Sequence, residues 1–354
     1  MIFSNKIIDW YLINKRDLPW RNTKNPYYIW LSEVILQQTR IVQGLDYYNT
    51  FIRKYPTVVD LADASEEEVL KTWQGLGYYT RARNLHATAI IIKEKYNGVF
   101  PNEYKEVVKL KGIGKYTAAA ILSFAFKQSY PVVDGNVFRF ISRLKGIFTP
   151  INTEKAYTEF YSLLEKQIDS QQPDLFNHAI MEFGAIVCKP QNPLCSECVF
   201  SNECYAFKHG KTTELPIKIK SKSVRHRYFY FIVFHIGTKN GNHTLLRKRT
   251  QKDIWQNLYE FPYIESDVQL NQKLTDEKLK EVLNSVYEID NYEILNVHAE
   301  IKHQLSHQTI HAVFLEIGTR IHPKTIGNHI EVSFLDIKKY PVSALISRYL
   351  KYDE

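Results

Sequence analysis

Cysteine is scarce in this chain and badly spread: 354 residues hold four, and all four fall between residues 188 and 204. A disulfide framework distributed over the chain is therefore excluded. No run of 18 apolar residues occurs, so no membrane-spanning helix is expected. The N-terminal stretch MIFSNKIIDWYLINKRDLPW mixes charges into its apolar residues and lacks the core of a secretion signal. A cytoplasmic protein with reduced thiols is the expectation, nucleoid-associated if bacterial, with no membrane partner. Internal repeats and low-complexity tracts are also missing.

What is present is an uneven charge. The chain carries 46 basic and 38 acidic side chains, a net +8. Residues 71–150 alone hold 13 basic against 4 acidic, enough to account for the whole excess. Aromatic residues, among them Trp73, Tyr78, Tyr79 and Tyr116, lie between those cations, a composition that suits a nucleic-acid surface as well as a solvated cationic face.

The apolar period changes once along the chain. Up to about Phe207 it is helical, as in WLSEVILQQTRIV (30–42), YYTRARNLHATAIII (78–92), KYTAAAILSFAF (115–126) and EKAYTEFYSLLEKQI (154–168). Residues 210–225 read as a basic linker. Beyond it, RYFYFIVFHIG and TIHAVFLEIG read as strands, and DEKLKEVLNSVY and VSALISRYLKY as helices. The expected organisation is an all-α region over 1–209, the linker, and an α+β domain over 226–354.

Several short stretches carry chemistry. In LKGIGKYTAAA, Gly112 and Gly114 flank a tight turn that opens into a helix, where free N–H groups attract a phosphate oxygen. Such a turn is also an ordinary helix connector. Asp134, in YPVVDGNVFRF, stands where a helix cap is expected. Glu33 shares a helical neighbourhood with Trp30 and Val34, so burial would raise its pKa. The cysteines, spaced C-x6-C-x2-C-x5-C, suit a metal site, and their spacing leaves both zinc and an iron-sulfur cluster open.

Taken in order, PWR (19–21), SEVILQQTR (32–40), GLGYYTRARNLH (75–86), LKGIGKYTAAA (110–120), VDGNV (133–137) and the cysteine loop resemble the MutY-type adenine DNA glycosylases. That family belongs to the helix-hairpin-helix superfamily shared with endonuclease III. The resemblance implies a multidomain protein, with an all-α helix-hairpin-helix glycosylase core and a [4Fe-4S] loop held by Cys188, Cys195, Cys198 and Cys204. A C-terminal α+β Nudix-like domain completes it. It implies a monomer acting on double-stranded DNA that contains adenine opposite 8-oxoguanine or guanine, hydrolysing the adenine N-glycosidic bond and leaving an abasic site. Glu33 would protonate the base, Asp134 would stabilise the sugar cation, and Asn136 would lie near the sugar. Trp20 and Arg21 would line the adenine pocket, and Gln38, Leu76 and Tyr78 would enter the base stack. Tyr116 stands where bifunctional relatives carry a Schiff-base lysine, so a monofunctional enzyme is implied. The rivals are a bifunctional pyrimidine-damage glycosylase and a non-catalytic iron-sulfur DNA sensor.

The chain departs from the family in three places. The C-terminal domain contains no Arg-Glu dipeptide, so it lacks the Nudix hydrolase box. Its lesion-reading loop has Leu305, Ser306 and His307 where Phe-Ser-His is usual. His178 occupies a position where relatives often carry Gln or Glu, and no role is assigned to it.

Overall fold

The computed structural model describes residues 2–219, 224–238, 241–324 and 327–351. Contacts divide the chain into two compact units: Met1–Asp63 with Asn84–Ser221, and Ala64–Arg83 with Lys222–Glu354. No described helix is long and apolar enough to cross a membrane.

The first unit is helical throughout its described residues. Helix Ile2–Asn14 packs on Pro173–Ile186, Pro26–Ile35 packs on Lys115–Phe126, and Gly135–Lys145 packs on Pro173–Ile186. Ile7, Val137, Phe140, Phe160, Phe176, Phe183 and Phe200 fill the core between them, and Cys188, Cys198 and Cys204 pack against its edge. The cysteine loop is thereby fastened to the same core that carries the helix after Asp134. One expectation needs correction. Residues 30–42 do not form one helix: Pro26–Ile35 ends before a turn in which Gln38 adopts a left-handed φ of 57°, and a new helix begins at Ile41. The helical period survives because both helices bury apolar faces, and Gly44 lets them approach: a Cβ there would lie 2.8 Å from Leu36 Cδ2.

Residues 211–219 also pack on this unit. Leu215 is buried, the Ile151 N–H donates to the Ile217 carbonyl at 3.0 Å, and Asn152 bonds the Ile219 carbonyl at 3.0 Å. Residues 220–223 of the expected linker lie outside the described residues.

The second unit is built on one eight-stranded sheet. Its strands are β1 (Arg225–Thr238), β2 (Gly241–Lys248), β3 (Tyr259–Glu260), β4 (Tyr263–Ser266), β5 (Tyr292–Val297), β6 (Ile301–Gln304), β7 (Gln308–Thr319) and β8 (His329–Ser333). The order is β3-β2-β1-β7-β5, with β4 on β1, β6 on β7 and β8 on β2. Central β1 and β7 run parallel in register from Arg225↔Gln308 to Ile236↔Thr319. Both faces of β1 are covered, which is why its sequence is a continuous apolar run. Tyr230, Ile232 and Phe234 meet Leu279 and Leu283 of helix Gln272–Ser285, and Phe229, Phe231 and Val233 on the opposite face are fully buried.

Residues 64–83 complete this unit. Helix Glu66–Trp73 opens with a capping box formed by Ser65 and Glu68. Lys71 donates to the Tyr340 carbonyl, Gln74 to Ser347 Oγ and the Tyr79 hydroxyl to the Val342 carbonyl, each at 3.1 Å.

Candidate active site

Glu33 sits near the end of helix Pro26–Ile35, whose first turn is set by Asn25 as cap and Pro26 at the opening position. Ser32, Trp30 and Val34 around it are buried, and Glu33 itself is 9 % exposed. The Tyr116 hydroxyl, from the first turn of helix Lys115–Phe126, donates to Glu33 Oε2 at 2.7 Å. Burial pushes the Glu33 carboxyl up to about 7; the Tyr116 hydrogen bond and the Arg21 charge oppose that rise, and the Asp134 charge adds to it. Burial likewise lifts the Tyr116 phenol well above its ordinary range.

Asp134 caps helix Gly135–Lys145: its Oδ1 accepts from the Val137 N–H at 2.7 Å, and its Oδ2 accepts from Asn136 Nδ2 at 2.8 Å. Both oxygens are acceptors, as the ionised form requires, although burial raises its pKa against those bonds. The cap expected from sequence is present. So is the chemistry a bare cap does not need, because the same carboxylate is close enough to act electrostatically on Glu33 and Tyr116.

The segment leading into Asp134 is held by a residue that sequence reading missed. Asn177 is fully buried; its Oδ1 accepts from the Val132 N–H at 3.0 Å, and its amide donates to the Tyr130 carbonyl and Ser123 Oγ. Asn136 is held in turn by Arg139, which donates to Asn136 Oδ1 at 2.9 Å, the Gly184 carbonyl at 2.6 Å and the Cys188 carbonyl at 2.7 Å. Gly184 is required there, since a Cβ would lie 2.7 Å from the Asn136 carbonyl oxygen.

Trp20 is buried with its ring edge-on to Tyr48 at 5.2 Å. Arg21 reaches Glu182, a second residue that sequence reading missed. Glu182 is 1 % exposed and accepts from Arg16 through its backbone N–H, Nε and NH2 and from Arg21 NH2 at 2.6–3.0 Å. Burial alone would raise its pKa, but these bonds outweigh it and hold Glu182 at about 2. Glu182→Ala, which leaves two guanidinium groups without their anion, is expected to destabilise the protein by about 3 kcal/mol, measured as a lower denaturation midpoint. Because the folded-state pKa is depressed, this contribution is present above the unfolded value of about 4.3 and is lost as pH falls towards about 2.

Gly112 has a left-handed φ of 77° and its Cα faces Asn84, where a Cβ would lie 2.8 Å from the Asn84 Cβ. Gly114 is the cap residue of helix Lys115–Phe126 and offers no side chain to the first N–H groups. Gln38 is exposed at its turn. In the second unit, Leu76 is buried, Tyr78 is 47 % exposed with φ 47°, and Ser306 and His307 lie exposed in the turn between β6 and β7. His178 is a half-buried, neutral ring stacked on Phe124 at 3.8 Å; desolvation, with the Arg21 and Lys24 charges, lowers its pKa to about 3.

The four cysteines line one cavity together with Phe140, Arg143, Leu144 and Phe200. No three His, Cys, Asp or Glu side chains among the described residues are placed to hold a single metal ion. Four thiols on one cavity are a donor set of the kind that zinc or an iron-sulfur cluster takes. Burial raises the Cys198 thiol to about 11 and also raises Cys188 and Cys195, so they are thiolates only with cationic compensation. Arg143 supplies part of it, with NH1 3.6 Å from Cys188 Sγ, while its other donors hold the carbonyls of Lys189, Pro190 and Leu215.

Comparison with known proteins agrees with this geometry. The model of the HhH-GPD superfamily base excision DNA repair proteins matches residues 31–166, and a NUDIX domain model matches 232–352. An adenine DNA glycosylase of Buchnera aphidicola subsp. Baizongia pistaciae is 36% identical over 320 residues, covering 88% of this chain and 84% of that protein. The chain belongs to the adenine DNA glycosylase family. The Arabidopsis thaliana member is 35% identical over 84% of this chain and 51% of its own length, and the human one 41% identical over 60% and 41%. Among solved structures, a thermostable thymine-DNA glycosylase superposes with a TM-score of 0.55 at 30% identity, over 59% of this chain and 96% of that one. An endonuclease III trapped as a covalent intermediate with DNA gives 0.52 at 25% identity, over 58% and 94%. The chain is thus a DNA-binding base-excision glycosylase, with a helix-hairpin-helix core and a Nudix-like domain.

Proposed function

We propose that this enzyme excises adenine opposite 8-oxoguanine or guanine, that it is monofunctional, and that Glu33 and Asp134 carry the reaction. The observation that supports this best is the pairing of a carboxyl raised to about 7 with a second carboxylate that accepts two hydrogen bonds. Chemistry on a stacked base requires turning it out of the duplex. As the bond between the sugar carbon and adenine N9 breaks, Glu33 gives its proton to the base at N7, and the bonding electrons leave with adenine. Asp134 faces the developing sugar cation, and Asn136 keeps that carboxylate aimed. Water then adds at the sugar carbon and gives up a proton that restores the acid form of Glu33. Tyr116 holds Glu33 and cannot form an imine.

The four cysteines would hold one [4Fe-4S] cluster, which when bound fixes the loop covering 188–204 and takes no part in base removal. Arg139 and Arg143 fasten the start of that loop, Cys188 to Pro190, to the helix that Asp134 caps. Ser306 and His307 offer a hydroxyl and an imidazole to the opposite base.

The test is excision from duplexes pairing adenine with 8-oxoguanine, guanine or cytosine at stated salt. Release is expected to be fastest opposite 8-oxoguanine and weakest opposite cytosine. Strand breaks should appear only after alkali, with no borohydride-trapped adduct. A trapped adduct in substantial yield would refute the monofunctional assignment, and equal rates on all three would refute the specificity.

A further inference from the structure

The first unit gathers four half-buried tyrosines that the reaction does not use. Tyr104 stacks on Tyr130 with ring centres 5.0 Å apart, and Tyr157 stacks on Tyr161 at 5.9 Å. Burial raises the pKa of Tyr104, Tyr157 and Tyr161, and each is close enough to another of the four to feel its charge. The two pairs are therefore one cluster, and these phenols stay protonated as donors. No hydrogen bond among the described residues uses any of the four hydroxyls, and none of them is closed off from solvent. Tyr104 and Tyr130 also wall a shallow depression of about 490 Å³, with Asn102, Glu103, Lys105 and Gln128 around it.

The cluster borders the turn made by Gly112 and Gly114. Lys115, the first residue of the helix that follows, has its ammonium 5.1 Å from the centre of the Tyr157 ring, while its neighbour Tyr116 bonds Glu33. One helical turn thus touches both the catalytic carboxyl and the tyrosines. Lys115 pairs with Glu154 at 2.8 Å, but both side chains are exposed, and so weak a pair can be exchanged for another anion. Free N–H groups at the glycine turn attract one phosphate. Phenols are regular partners of phosphate oxygens, which they hold without reading sequence.

We propose that Tyr104, Tyr130, Tyr157 and Tyr161 form a second phosphate-binding site, which holds the backbone of a DNA strand next to the phosphate at the glycine turn. Such a grip is blind to the bases, so it is independent of which base is removed and of what stands opposite it.

The test uses the full chain and a duplex with a non-hydrolysable 2′-fluoroadenosine opposite guanine. Tyr104→Phe and Tyr157→Phe keep the stacked rings and remove one donor each, and each should weaken binding about fivefold, on the scale of one hydrogen bond. A neutral donor releases no counterion, so the slope of log affinity against log salt should match that of the unaltered protein. Lys115→Met should make the slope shallower by about 1. Replacing the phosphates of the adenine strand one at a time by neutral methylphosphonate locates the contact. At one position the replacement should weaken binding by the unaltered protein and cost markedly less in Tyr104→Phe, as a shared contact requires. Equal denaturation midpoints check that the fold is kept, and Tyr161→Phe gives the same reading should either variant unfold. Phe variants that bind as tightly as the unaltered protein, or losses that add in full at every phosphate, would overturn the proposal.

Discussion

Glu33→Gln is expected to lower the single-turnover rate of adenine release by at least about a hundredfold, the scale of a lost general acid, while duplex affinity is retained. Glutamine keeps the shape and still accepts from Tyr116, so the loss isolates the proton. The same group predicts a pH profile. Because the acid form is the one that acts and its pKa is raised to about 7, the rate should be level below that pH and fall roughly tenfold per unit above it. A profile that rises through pH 7, or a Gln variant with normal rate, would remove Glu33 from the acid role.

Asp134→Asn is expected to cost roughly a thousandfold in the same assay, on the scale of losing a fixed electrostatic partner to the transition state. The choice of asparagine matters. Asn is as good a helix cap as Asp, so the bond to the Val137 N–H can be kept and only the Asn136 bond to the second oxygen is lost. Asp134→Ala removes the cap as well, and should lower stability by about 1 kcal/mol on top of the kinetic loss. If the Asn variant were as unstable as the Ala variant and equally active, the carboxylate would be a cap and nothing more.

Much of this arrangement was readable from the chain before its structure, because the relevant signals are local. Helical period, the Asp134 cap, the glycine turn at 112–114 and the clustered cysteines each occupy a few consecutive residues. What could not be read depends on distant partners. Glu182, Arg139 and Arg143 look like solvated helical charges, and Asn177 like any polar helix residue. Their partners lie far along the chain: Arg16 and Arg21 for Glu182, Gly184 and Cys188 for Arg139, Lys189 and Leu215 for Arg143, and Ser123 and Val132 for Asn177. The left-handed residues Gln38, Tyr78 and Trp255 were hidden for a related reason. None is glycine, the side chain that ordinarily announces such a backbone, so the turn at Gln38 was read through as helix.

The residence of 64–83 among the C-terminal strands bears on how the molecule could ever be taken apart. Asn257 and Tyr259 bond Glu66 and Glu67, and Arg83 donates to the Gln256 carbonyl at 2.9 Å. The polypeptide therefore passes from one body to the other and back before making its final crossing. A single proteolytic cut near residue 220 would not release two autonomous halves: the amino-terminal fragment would carry away an interior piece of its neighbour, leaving each severed partner with raw apolar surface.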